Sequence, residues 1–207
     1  MLPDLSEERA LLAAGYSHVA GIDEAGRGAW AGPVCAAAVV LPLDRPNLAE
    51  LLDGVRDSKL LSPARREALL PVIEDVALAV GVGWADPAEI DELGIAPATR
   101  QAMLRALSGL NGQASALLID YVRLPESALH QRALPKADTR CLSVAAASIV
   151  AKVTRDRLMV KLDEGLPGYG FARHKGYGTR QHSHALSRLG PSPAHRMSWQ
   201  PLRDFAP

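Results

Sequence analysis

The 207-residue chain has no apolar stretch long enough to cross a bilayer, and its opening, with Asp4, Glu7 and Glu8, is unlike a signal peptide. A cytoplasmic protein without membrane contact is expected. Only two cysteines are present, too few for a disulfide framework. Cys35 lies in a strand-like run and Cys141 just before a small-residue helix, so both are expected to be buried free thiols. Internal repeats, heptads and low-complexity tracts are missing, which excludes solenoids and coiled coils. Net charge is missing too, with 23 Lys and Arg against 23 Asp and Glu. That balance hides a split. Residues 1–130 carry 10 cations against 18 acids, and residues 131–207 carry 13 against 5. A basic region beside an acidic body suits a nuclease, in which cations hold phosphate and carboxylates hold metal. A binding module without catalysis would need the basic region but not converging acids.

What is present reads as one domain spanning residues 1–207, with 48% hydrophobic and 22% charged residues. The most informative stretch is residues 19–28, VAGIDEAGRG, followed by a second apolar run over 31–40. Two buried strands with an acidic, glycine-rich connection are expected. Adjacent strand residues face opposite ways, so Asp23 and Glu24 share a site only near a strand end, where the pleat breaks. Hard oxygen ligands there suit magnesium or manganese rather than zinc. Gly26 and Gly28 let the backbone approach a polyanion, and Arg27 aims a guanidinium at it.

Further along, residues 4–14 read as a short amphipathic helix with Leu5, Leu11 and Leu12 as its apolar positions. Ser62 is a natural N-cap with Pro63 behind it, and Pro71 should end or kink the helix that follows. Just before it, Ser58 and Lys59 offer a hydroxyl and an ammonium to phosphate. A strand is expected over 77–84, a capping box at 86–89 opens a helix ending at Gly94, and a longer helix covers 97–110 with Met103, Leu104 and Leu107 inward. The apolar run 114–120 reads as a strand buried on both sides and ends in Asp120, a carboxylate that must be paired, metal-bound or solvent-facing. A long helix starts near Ser143 and passes Asp156, which roughly 20 Å of helix separates from Asp138. Asp138, beside Lys136, is therefore the candidate ligand, and Asp156, between Arg155 and Arg157, the structural ion-pair partner. In the tail, Tyr169, Phe171 and Tyr177 alternate with Arg173, His174 and Lys175, a pattern suited to stacking on sugars or bases while cations meet phosphate. His174, His182 and His184 match no zinc spacing.

Together these segments resemble ribonuclease HII: GIDEAGRG at 21–28, DSK at 57–59, KAD at 136–138, AAASIVAK at 145–152, RDR at 155–157 and HKGYGT at 174–179. The resemblance runs from about residue 18 to about residue 199, in the family's order. It implies an α/β chain of ribonuclease H-like fold, a mixed central sheet flanked by helices, with a small helical and loop extension over about 165–207 that binds substrate. It implies Asp23, Glu24, Asp120 and Asp138 as catalytic, metal-holding carboxylates for two Mg²⁺ or Mn²⁺ ions. Gly26, Arg27, Gly28 and Tyr177 are implied to read the ribonucleotide–deoxyribonucleotide junction, with Ser58 and Lys59 near phosphate and Arg173 and Lys175 as tail cations. The implied substrates are RNA–DNA hybrids and duplex DNA containing ribonucleotides, cut by a monomer. Tyr121 departs from the family's frequent Gly after the third acid, and Ala29 and Trp30 stand where Pro and Leu are commoner. Any partner motif that relatives carry on further C-terminal helices, including a sliding-clamp motif, is not visible in this sequence.

Overall fold

The computed structural model describes residues 2–205, with side chains through Arg203. In chain order the elements are α1 (Ser6–Ala13), β1 (Val19–Ala25), β2 (Val34–Val40), α2 (Leu48–Leu51), α3 (Pro63–Val76), β3 (Ala79–Ala85), α4 (Pro87–Leu93), α5 (Ile95–Ser108), β4 (Ala116–Asp120), β5 (His130–Leu134), α6 (Leu142–Gly165), α7 (Phe171–His174) and α8 (Arg180–Leu189). Short 3₁₀ turns cover Ser58–Leu60, Ala137–Thr139 and Gln200–Phe205. No helix among the described residues is long and apolar enough to cross a membrane.

The five strands form one mixed sheet in the order β3-β2-β1-β4-β5. β1, β2 and β3 are an antiparallel meander, while β4 runs parallel to both β1 and β5. Alternation on β2 sends Cys35, Ala37 and Val39 into the core that holds α3 and α6, and Val34, Ala36, Ala38 and Val40 into the one that holds α5. Both faces are covered, which is why β2 reads as a continuous apolar run. The small residues set how closely the layers approach. A Cβ at Gly21 would run into the backbone of Ser143 and Val144, so a glycine there lets the start of α6 lie directly on β1.

Several boundaries differ from the sequence reading. Pro71 lies inside α3 and does not end it; this exposed position continues as helix through Val76. α5 begins at Ile95, because Pro97 falls in the first turn, where a missing N–H has no intrahelical partner to lose. Its sheet-facing stripe is Ala98, Ala102, Met103 and Ala106, whereas Leu104 and Leu107 are only partly buried. On α1, Leu12 is exposed and Glu8 is buried instead, accepting hydrogen bonds from the Ser143 amide (2.8 Å) and hydroxyl (2.7 Å). α6 begins at Leu142 and continues beyond Asp156 to Gly165. The Asp86–Glu89 capping box, the Ser62 cap and the two buried free cysteines are as expected.

Candidate active site

The parallel pairing of β1 with β4 ends at Ile22 opposite Ile119, so Asp23 and Asp120 are the next residues of neighbouring strands. The pleat does not break at the acidic pair, as the sequence reading had it: β1 stays paired to β2 through Ala25, and it is β4 that stops. Asp23 is buried and takes the Glu24 amide on Oδ1 at 2.7 Å. Asp120 Oδ1 accepts the Ala137 amide at 2.8 Å, which ties the β4 end to the turn carrying Asp138. Asp138 is buried there and meets the Lys59 ammonium at 3.3 Å. The Arg27 guanidinium stands 3.9 Å from Glu24.

This cluster is electrostatically strained. Burial, then the charges of Glu24 and Asp120, push the Asp23 carboxyl well above the usual carboxylate range. Glu24 is raised by burial, against the pull of Arg27, and Asp138 by burial and the nearby Asp57. Burial pulls the Lys59 ammonium down, but Asp57, Asp23 and Asp138 outweigh it and hold it above its ordinary value. Glu24 Oε2 is buried with no hydrogen-bond partner. A buried, unpartnered carboxylate oxygen among further acids is a donor set that fits a hard divalent cation. Among the described residues, no three His, Cys, Asp or Glu side chains already form a cage around one point.

The other residues singled out in the sequence fall in two places. Ser58 is buried, its amide on Ser148 Oγ at 3.1 Å, and its neighbour Lys59 projects toward the acids. Gly26 has φ +87° and a Cβ there would strike the Arg155 side chain, whereas a Cβ at Gly28 would meet nothing within 4 Å. Gly26 is thus demanded by packing, and Gly28 leaves open space. Arg173, Lys175 and Tyr177 line a separate cleft of about 410 Å³ together with Arg66, Lys152 and Asp156. Arg173 is exposed there, while the Lys175 ammonium donates to the Ala172 carbonyl. Helix α6 joins the two places: Ser148 holds Ser58, and Lys152 and Arg155 stand 5.4 Å from the Tyr177 ring centre. Asp156 is an ion-pair partner, but of Lys152 (2.7 Å) and Arg66 (3.7 Å) rather than of its flanking arginines. Arg157 pairs with Glu67 at 2.5 Å.

Sequence reasoning missed three features. Asp57 is buried beside Lys59 and Asp138, and the DSK segment was the available signal. Arg155 and Arg196 are fully buried, and burial lowers both guanidinium pKa values, that of Arg196 to about 9. His195, not the exposed His184, joins His174 and His182; its Nε2 lies 3.0 Å from that of His182. The four remaining ring nitrogens face the chain: His182 Nδ1 the Tyr177 carbonyl, His174 Nε2 the Tyr169 carbonyl, His174 Nδ1 the Gly176 amide and His195 Nδ1 the Ser192 amide. That leaves no nitrogen of the trio pointing at a metal.

A mixed sheet of this order, with helices on both faces and acids at the ends of its two central parallel strands, defines the ribonuclease H-like fold. The solved ribonuclease H2 of Pyrococcus horikoshii OT3 superposes with a TM-score of 0.76 at 30% identity, covering 91% of this chain and 96% of that one. The family model for ribonuclease HII matches residues 20–202. Ribonuclease HII of Roseiflexus castenholzii is 57% identical over 205 residues, 99% of this chain and 92% of the relative. That of Chloroflexus aurantiacus is 55% identical over 202 residues, 98% and 95% of the two chains. The chain belongs to the ribonuclease HII family and is a ribonuclease H enzyme.

Proposed function

We propose that the enzyme hydrolyses the RNA strand of RNA–DNA hybrids and cuts on the 5′ side of a single ribonucleotide embedded in duplex DNA, leaving 3′-hydroxyl and 5′-phosphate ends. The observation that carries this reading is the cluster of Asp23 and Glu24 on β1, Asp120 at the end of β4 and Asp138 in the turn tied to it, with Asp23 and Asp138 buried, the charges mutually repelling and Glu24 Oε2 unpartnered. These four would hold two Mg²⁺ or Mn²⁺ ions. Bound there, the ions supply activation of water and stabilisation of the departing 3′-oxygen. The chain's own groups do the rest. Asp120 fixes the turn that carries Asp138. Lys59, kept charged by its acidic neighbours, and the buried Ser58 stand where phosphate would enter. Gly26, Arg27 and Gly28 present backbone and one guanidinium to the ribose, with open space at Gly28.

Tyr177 would stack on the sugar that follows, best on a deoxyribose because a 2′-hydroxyl there would crowd the ring, so that a single ribonucleotide is cut more readily than continuous hybrid, and its own hydroxyl would meet the ribonucleotide's 2′-oxygen. Arg173 and Lys175, in the substrate-binding extension over about 165–207 of a single catalytic domain, would hold the backbone beyond the junction. The protein would work as a cytoplasmic monomer. The test is cleavage of a duplex carrying one ribonucleotide, with Mg²⁺, with Mn²⁺ and with chelator, the ends identified by their phosphorylation state. Metal-dependent cutting 5′ of the ribonucleotide supports the reading. Duplex binding without cutting under every metal condition, or cutting of all-DNA junctions instead, would sink it.

A further inference from the structure

Two fully buried arginines are left without a role by the chemistry above, and neither makes an ion pair among the described residues. Their donors go to backbone carbonyls of one loop and its neighbour. Arg196 donates from Nη2 to Gly26 O at 2.7 Å, from Nη1 to Arg27 O at 2.9 Å and from Nε to Gly32 O at 2.9 Å. Arg155 donates from Nε to Pro33 O at 2.8 Å, from Nη2 to Ala31 O at 3.1 Å and from Nη1 to Lys175 O at 2.9 Å. The backbone repeats the stitching: Trp30 N meets Gly176 O at 2.8 Å, Gly32 N meets Ala194 O at 2.7 Å, and Arg196 N meets Trp30 O at 2.9 Å. Three segments far apart in sequence, 26–33, 175–177 and 194–196, are thus one unit.

We propose that Arg155 and Arg196 are positioning residues for substrate selection: their guanidinium forks hold the Gly26–Arg27–Gly28 loop and the Tyr177 loop in one fixed register, so that the ribose and the following sugar are read together. The inference rests on the reading of those two loops given above. Burying an unpaired charge is costly, and well-packed apolar side chains fill a core more cheaply. What apolar groups lack is a planar fork that reaches several carbonyls of a loop whose carbonyls are not spent on a strand or helix. Arg155 also touches both readers, since it occupies the space over Gly26 and lies 5.4 Å from the Tyr177 ring centre. Lysine keeps the charge and loses the fork, so Arg→Lys isolates the geometry.

The experiment measures kcat and KM for wild type, Arg196→Lys and Arg155→Lys on a duplex with one ribonucleotide and on continuous hybrid, well below each melting temperature. Misplacement by about 1 Å can cost on the order of 10²-fold. A kcat/KM loss of that order on the single ribonucleotide, carried mainly by kcat, is expected, with a distinctly smaller loss on hybrid, where every position offers a 2′-hydroxyl. In a Tyr177→Ala background the Arg196→Lys loss should shrink, because the register then has nothing to align. Equal losses on both substrates, wild-type values, or full additivity with Tyr177→Ala would overturn the proposal. Should the lysine variants not fold, hydrogen exchange on the wild type decides. Amides of Trp30, Ala31 and Gly32 exchanging as slowly as those of β1 support a rigid unit, and rapid exchange overturns it. A wild type that leaves the single-ribonucleotide duplex intact would instead sink the functional reading beneath.

Discussion

The acids of β1, β4 and the 137–139 turn and the histidines of the tail are both polar clusters largely withdrawn from solvent, yet they are built on opposite terms. Glu24 Oε2 has no partner and the carboxyls of Asp23, Glu24 and Asp138 are all raised, so the folded chain carries an uncompensated cost there. In the tail, His182 and His195 share a hydrogen bond with each other, and their outer nitrogens meet backbone groups. Burial lowers both to about 4, so they stay neutral at physiological pH. The first cluster is left needing something from outside the chain; the second is complete. Between these two clusters, unsatisfied burial goes with the acids and satisfied burial with structure, whereas Glu8 Oε2 on α1, also buried without a partner, belongs to a carboxylate that ties α1 to Ser143.

The strongest way to break that contrast is to neutralise the acids. Asp23→Asn, Glu24→Gln, Asp120→Asn and Asp138→Asn should each lower cleavage by ~10²–10⁴-fold while the fold survives. A raised acid favours the folded state below its unfolded pKa and loses that advantage as pH rises through the folded value. Asp23→Asn should therefore raise the melting temperature in chelator at neutral pH, with the gain fading toward acid pH. A fully active Asp138→Asn would remove it from the site.

The histidines have the opposite sign. Their lowered pKa gives stability that is present above the ordinary histidine value of 6.5 and is lost as pH falls toward about 4. A displacement of that size is worth roughly 3 kcal/mol for a lone group. Melting curves from pH 7 to pH 4 should show the loss, and His182→Gln should flatten it. No pH dependence in that window would mean the trio is not buried neutral.

Asp156 tests the satisfied class from another side. Its pairs with Lys152 and Arg66 are mostly buried, so Asp156→Asn should cost about 1–3 kcal/mol in unfolding free energy and leave turnover largely unchanged. Inactivity at an unchanged melting temperature would move it into the catalytic group. The smallest effect belongs to Tyr121, which holds φ +60° directly after Asp120 and exposes 70% of its surface. The left-handed backbone that glycine would take freely is imposed on a tyrosine, so Tyr121→Gly should stabilise by about 1 kcal/mol or less. Destabilisation would show that the exposed ring makes a contact of its own.

Much of this was legible in the residues. Continuous apolar runs announced β1, β2 and β4 because strands buried on both faces cannot alternate. Asp23, Glu24 and Asp120 stood out as charges at the ends of such runs, and cap chemistry fixed the starts of α3 and α4. β5 did not announce itself: His130–Leu134 is a partly exposed edge strand with His, Gln and Arg in it, and its pairing comes from β4 rather than from its own pattern. Helix α5 misled because its leucines lie beside the contact and its alanines make it, against a strand, β3, carrying Gly81 and Gly83. The sequence by itself thus determined the element types, the acids and the family pattern, since each is written in local periodicity or in a short run of residues. Only the tertiary structure decided that Arg196 reaches back 170 residues to Gly26, that His195 rather than His184 completes the trio, and that Asp156 answers to Arg66. Those choices belong to side chains that meet through space, and a buried donor takes whichever acceptor the packed chain brings within reach.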